Sequence, residues 1–264
     1  NQKNLCNCKR DKRKNKRIVM FVQNPDIEFL EENRDCSYFE ENISDIRYKY
    51  IYSCSTSQYQ ELLERGWRRF GRMHFVPECK SCNKCVSMRI DVKNYKFSKS
   101  EKRVISKNKD TKLYIRPPSI TMEHLNLYDK YHRFMNDKKD WPYSPIEPED
   151  YMKSYVEAKE EYAKEFLYIK DDRLIGVALV DILPNSISAI YCYYDHEYSD
   201  LSIGKFSILA QIKIAKELNI PYIYLGYWIK NHFSMGYKET YSPFEILDNR
   251  ASLSEMPLWK KNEK

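Results

Sequence analysis

The chain has 264 residues, with 45 Lys and Arg against 38 Asp and Glu, a formal charge of +7 and a hydrophobic share of 42%. That share can build a core and excludes wholesale disorder, the lack of any run of about 18 apolar residues excludes a helical membrane span, and the positive balance suits a partner made of phosphates. Eight cysteines behind an N-terminus unlike a secretory leader point to thiols or metal ligands rather than a disulfide framework, and to the cytoplasm.

Residues 1–17 are polar and basic, ending in Lys9-Arg-Asp-Lys-Arg-Lys-Asn-Lys-Arg17, and a flexible arm reaching residue 30 is expected. Tyr48, Tyr50 and Tyr52 alternate within 47–54, which predicts a strand. Residues 56–65 start on Thr56, set Leu62 and Leu63 on one face and stop at Gly66, which predicts a helix. Strands are expected at 72–76 and 87–92, and a short basic helix at 100–107. Between those strands lies Pro77-Glu-Cys-Lys-Ser-Cys-Asn-Lys-Cys85. Its two-residue gaps let Cys79, Cys82 and Cys85 converge on one centre, zinc or an iron–sulfur cluster, with Cys36 as fourth ligand. The competing account is reduced thiols in a tight turn. Cys6 and Cys8 are not added to this set.

A second unit starts at Lys112. A short strand at 113–115 stops at Pro117-Pro118, Thr121 opens a helix to about residue 136, 142–148 form a loop, and 149–161 form another helix. Three apolar, β-branched or aromatic runs follow at 165–170, 173–182 and 186–194. A long amphipathic helix at 203–218 and a strand at 222–225 complete the order. The expected domains are an arm (1–30), a cysteine-bearing N-terminal α/β domain (31–111) and a larger C-terminal domain (112–264). The five histidines lie apart with no metal-like spacing, and no Ser/His/Asp or Cys/His arrangement is visible.

Several blocks in order carry a resemblance. Gly66-Trp-Arg-Arg-Phe-Gly-Arg72, the Cys79 to Cys85 run, Met88-Arg-Ile-Asp91 and Phe97-Ser-Lys-Ser-Glu-Lys-Arg103 come first. Val180-Asp-Ile-Leu-Pro184, Ser188-Ala-Ile-Tyr191, Leu201-Ser-Ile-Gly204 and Tyr224-Leu-Gly-Tyr-Trp-Ile229 follow. Over residues 34–245 this order resembles the aminoacyl-tRNA–protein transferases, and Trp141-Pro-Tyr-Ser144 looks like their bacterial leucyltransferase branch. Paired helices, an antiparallel meander, a helix and a further strand match an α+β acyltransferase fold of the GNAT type.

The resemblance implies aminoacyl transfer, in which a protein's α-amine attacks the ester joining an amino acid to the tRNA 3′ end. The ester is already activated, so the chemistry requires no cofactor; proton removal, oxyanion stabilisation and placement remain. Asp181 and Tyr191 are the expected handlers of the amine and the ester. Ser202 is the expected N-cap of the long helix and a candidate catalytic residue at the anion or carbonyl site its N-terminus would form, and Gly204 a candidate substrate-binding position where another backbone comes close. Tyr227 and Trp228 are expected to stack the terminal adenine or wall the aminoacyl pocket. An acceptor beginning with Asp or Glu needs a cation, and Arg68, Arg69, Arg72 and Arg89 are the candidates, with a site around Lys238 as the alternative. Met235, Tyr237 and Lys238 match the family's C-terminal block, whereas its basic residues are Ser234 and Ser242 here. The expected partners are leucyl-tRNA and proteins with N-terminal Asp or Glu, the outcome being entry into N-degron turnover. Arginyl transfer on the same scaffold, or an inactive RNA-binding metalloprotein, are the alternatives.

Overall fold

Two sheets account for the described strands. The computed structural model describes residues 18–23, 26–158 and 160–262; the basic tract 1–17, with Cys6 and Cys8, lies outside the described residues. From residue 18 the chain is already strand. There β1 (Ile18–Gln23) and β2 (Asp26–Asp35) form an antiparallel hairpin where an arm was expected. The run Ile18-Val-Met-Phe-Val22 explains this, because β-branched and aromatic residues suit a pleated surface.

With β3 (Ile43–Tyr50), β4 (Arg68–Phe70) and β5 (Met73–Pro77) these strands make an antiparallel sheet in the order β1-β2-β3-β5-β4. Between β3 and β4 runs α1 (Thr56–Glu64). The Ser55 hydroxyl accepts from the Gln58 N–H at its start, and Gly66 at φ 86° follows its end. Its Tyr59, Leu62 and Leu63 are buried with Tyr162, Leu183 and Tyr224, which ties the smaller sheet to the larger one.

The larger sheet holds β6 (Val86–Asp91), β7 (Lys112–Arg116), β8 (Ala163–Lys170), β9 (Arg173–Ile182), β10 (Ser186–Tyr194), β11 (Tyr222–Trp228), β12 (Phe244–Leu247) and β13 (Trp259–Lys261). Their order is β13-β12-β6-β11-β10-β9-β8-β7, so the strand leaving the cysteine turn runs inside the sheet built mainly by the C-terminal half. The helices are α2 (Lys99–Lys107), α3 (Met122–Lys139), α4 (Pro148–Tyr151) and α5 (Ile203–Glu217). Where a helix was expected over 149–161, α4 passes into a π-turn at Met152–Val156 and stops. None of the described helices is long and apolar enough to cross a membrane.

Strand alternation serves two cores. On β8, Phe166 and Tyr168 pack with α5, while Leu167 packs with Leu127, Tyr131 and Met135 of α3. Strands β10 and β11 are parallel, joined by α5 as crossover, and share only the rungs Ser186↔Tyr222 to Ser188↔Tyr224. Beyond them β10 shifts register between Ala189 and Tyr191, and β11 between Tyr224 and Gly226. The sheet therefore opens there.

The turn between β4 and β5 rests on the π-turn. Gly71 has φ 53°, and a Cβ on it would stand 2.0 Å from the Lys153 carbonyl oxygen. Gly71→Ala is expected to cost at least about 2 kcal/mol, since strain and a backbone clash combine. Chemical denaturation checks this, and a loss below about 0.5 kcal/mol would show that the turn lifts freely.

Candidate active site at the opening of the large sheet

Arg68 leaves β4 and enters the opening between β10 and β11. Its Nη2 donates to the Ala189 carbonyl at 2.5 Å, and a Cβ on Gly226 would sit 3.4 Å from its Nε. Gly226 has φ 79°, a conformation that suits glycine, and it gives the guanidinium its room. The Nη1 of Arg68 is buried with no hydrogen-bond partner among the described residues. Lys238 lies nearby, 7% exposed, its Nζ donating to the Tyr227 carbonyl at 2.5 Å. Burial, with the Arg68 charge added, pushes the Lys238 ammonium down to about 7. No carboxylate among the described residues makes an ion pair with either cation. A buried donor left without an acceptor costs about 1–3 kcal/mol.

One residue on, Arg69 takes a different partner. Its Nε donates to Asp181 Oδ2 at 2.8 Å and its Nη2 to Oδ1, while Nη1 donates to the Gly71 carbonyl at 2.8 Å. The pair is 5% and 1% exposed. Burial opposes the Arg69 charge, but Asp181 outweighs it and raises the guanidinium pKa. The rings of Tyr59 and Tyr162 each lie 5.4 Å from its carbon centre. Asp181 was expected to accept a proton from the amine. Both of its oxygens are instead committed to Arg69, so it anchors the β4–β5 turn.

Tyr191, just past the β10 bulge, faces α3. Its hydroxyl is 2.8 Å from His132 Nε2, and His132 Nδ1 is 2.8 Å from the Tyr128 carbonyl oxygen. Burial raises the Tyr191 phenol and lowers the His132 imidazole. Tyr128, Tyr155 and Phe70 complete an aromatic cluster around them, with Tyr155 stacked on Tyr191 at 5.8 Å. Sequence reading missed His132, Tyr128 and Tyr155. Nothing near His132 in the chain marks it, since its partner lies 59 positions away.

The remaining expected residues are dispersed. Arg89 on β6 is paired with Glu245 (2.8 and 2.6 Å) and sandwiched by Tyr222 and Trp259, so its charge is spoken for. Arg72 lies 4.4 Å over the Tyr52 ring. Ser202 is in a left-handed conformation and makes no side-chain cap, contrary to the expected N-cap. What comes close at Gly204 is the Tyr194 ring, not a backbone: a Cβ there would stand 2.9 Å from it. Trp228 is buried against Phe244, and the buried Tyr227 hydroxyl is held by the Gly66 and Phe75 carbonyls. Neither ring offers a stacking face outward. Tyr237 is half-exposed beside Lys238.

Cys36, Cys79, Cys82 and Cys85 line one cavity with Tyr38, Phe39 and Arg250. Burial, then the nearness of Cys36, Cys79 and Cys82, pushes the Cys85 thiol up to about 12. Four thiols around one cavity are the donor chemistry that zinc or an iron–sulfur cluster takes. No three His, Cys, Asp or Glu side chains among the described residues stand in a ligating arrangement. The donor set fits such a group.

Comparison with known proteins places the chain. Residues 34–103 match the family described as arginine-tRNA-protein transferase, N terminus, and residues 123–248 its C terminus. The chain is 45% identical over 234 residues to the aspartate/glutamate leucyltransferase of Helicobacter hepaticus, covering 89% of this chain and 97% of that one. It is 46% identical over 237 residues to that of Campylobacter jejuni (89% and 99%), and 33% over 225 residues to that of Pseudomonas fluorescens (84% and 94%). The L-PGS structure from Bacillus licheniformis aligns with a TM-score of 0.41 at 10% identity, over 69% of this chain and 53% of that one. The chain is an aminoacyltransferase. It belongs to the arginine-tRNA-protein transferase family, in the branch of the aspartate/glutamate leucyltransferases.

Proposed function

We propose that this enzyme transfers leucine from leucyl-tRNA to the α-amine of cytoplasmic proteins beginning with Asp or Glu, which commits them to N-degron turnover. The observation that carries the reading is the Arg68 guanidinium at the sheet opening, buried and with Nη1 unpaired. An acceptor's side-chain carboxylate accepts from that donor in a charge-assisted hydrogen bond, and Lys238 adds a second cation. The acceptor's amine is then held beside the opening, where the ester carbonyl of the donor enters and Tyr191 handles the proton. The parallel β10–β11 pair that parts after three rungs, the β10 bulge and the α5 crossover support a GNAT-type fold for this half. The β1–β5 sheet with its cysteine turn supports a separate role for the N-terminal part. The surplus of positive charge suits the tRNA.

Purified protein given labelled leucyl-tRNA or arginyl-tRNA and a peptide starting with Asp tests the reading. Leucine on the Asp peptide and not on its Asn counterpart is expected. Arginine as the preferred product would reassign the donor, and no product would reject transfer.

In the same proposal Cys36, Cys79, Cys82 and Cys85 hold zinc or an iron–sulfur cluster. The bound group cross-links the cysteine turn to the β2–β3 connection and takes no part in the transfer. Removing it by chelation, or replacing Cys82 with Ser, is expected to lower the melting temperature by several degrees. Elemental analysis of anaerobically purified protein accompanies the melt. Metal-free protein with an unchanged melt would reject the group.

A further inference from the structure

Tyr191 is hydrogen-bonded to His132, a residue to which the leucyltransfer reading alone gives no part. The pair's proton positions follow from its partners. The Tyr128 carbonyl oxygen only accepts, so His132 Nδ1, 2.8 Å away, carries a hydrogen. A neutral imidazole then has a bare Nε2, and the Tyr191 hydroxyl donates to it across 2.8 Å. The ring is held in place by stacking on Tyr128 at 3.9 Å and by the edge of Tyr131 at 5.3 Å. With its hydrogen spent on His132, the phenol oxygen of Tyr191 keeps its lone pairs free to accept a hydrogen. Tyr191 is two residues beyond Ala189, the carbonyl held by Arg68, on the far side of the β10 bulge.

Building on the transfer reading above, we propose that Tyr191 and His132 are the proton relay of the reaction, Tyr191 as the catalytic residue and His132 as the positioning residue behind it. The acceptor's amine nitrogen bonds to the ester carbonyl carbon. As it does, the nitrogen loses a proton to the Tyr191 oxygen while the Tyr191 hydrogen passes to His132 Nε2. The imidazolium is stabilised through Nδ1 by the Tyr128 carbonyl. The proton then returns through Tyr191 to the departing ribose oxygen as the carbon–oxygen bond breaks. One amide and one free ribose hydroxyl result, with no net proton gained or lost. The titratable groups facing the imidazole are Asp129, Tyr128 and Tyr131 on α3 and Tyr191 on β10. Burial keeps the ring neutral at neutral pH, the state the relay requires.

The test compares Tyr191→Phe, His132→Gln and His132→Asn with the wild type in leucyl transfer to an Asp-starting peptide, across pH. Gln offers a hydrogen-bond acceptor to Tyr191 but no basicity, so it preserves a merely structural contact. All three variants are expected to lose about 100-fold or more in kcat, with peptide KM and leucyl-tRNA binding nearly unchanged. Wild-type kcat is expected to fall in acid as His132 takes up a proton, and that limb is expected to vanish in the His132 variants. Thermal melts show which variants are folded. A folded His132→Gln with wild-type kcat and pH profile would overturn the relay while leaving leucyl transfer standing. Wild-type protein that makes no leucyl peptide would overturn the transfer reading and the relay with it.

Discussion

Asp181→Ala is expected to destabilise the fold by about 3–5 kcal/mol, enough to remove most of a domain's stability. The partner left behind is the reason. Arg69 is 5% exposed, far from titrating at any ordinary pH, and without Asp181 its charge is buried and unpaired. Exchanging both residues together, as Arg69→Met with Asp181→Leu, is expected to recover most of the loss, since a buried ion pair and a packed apolar pair of similar volume are nearly equivalent in energy. The double variant is still expected to transfer poorly, because Arg69 also holds the Gly71 carbonyl and with it the turn that carries Arg68. Urea unfolding of the two single variants and the double one measures the coupling. A single-variant loss under about 1 kcal/mol would mean that water reaches the guanidinium.

Arg68→Ala is expected to raise the KM of Asp- and Glu-starting peptides about 10- to 100-fold and to erase the preference for Asp over Asn, while leucyl-tRNA binds as before. A charged hydrogen bond of about 1.5–3 kcal/mol sets that range. Arg68→Lys is expected to rescue little, because a lysine cannot hold the Ala189 carbonyl and present a second donor at a fixed angle. Arg89→Ala serves as the contrast. It breaks the Glu245 pair and is expected to affect stability more than acceptor choice. Steady-state kinetics on matched Asp and Asn peptides decides between them, and intact discrimination in Arg68→Ala would move the carboxylate site elsewhere.

Helices α1, α3 and α5 and the meander β8–β10 were legible because each is written locally, in caps, apolar spacing and turn residues. Strand β4 is three residues long, too short to show a period, and β12 and β13 owe their existence to an edge built by β6. At the site, Arg68 and Arg69 were equivalent candidates in the sequence. Adjacent strand residues point to opposite faces, so one met Asp181 and the other the sheet opening, and only the pairing of distant segments decides which. His132 carried no signal at all, for the same reason. Ser202 shows the converse failure: a residue type suited to capping sits at the helix start, yet its left-handed backbone leaves the hydroxyl without that bond.

The position of β6 governs how the molecule is made. Emerging from the ribosome, Val86–Asp91 has no sheet to join until β11 and β12, at Tyr222–Trp228 and Phe244–Leu247, have been synthesised. The nascent N-terminal segment therefore waits with an unpaired strand, its Val86, Met88 and Ile90 uncovered, through most of translation, a state that chaperones recognise. The same late closure couples the cysteine turn to the sheet opening. Ordering of both regions therefore waits on the same late strands.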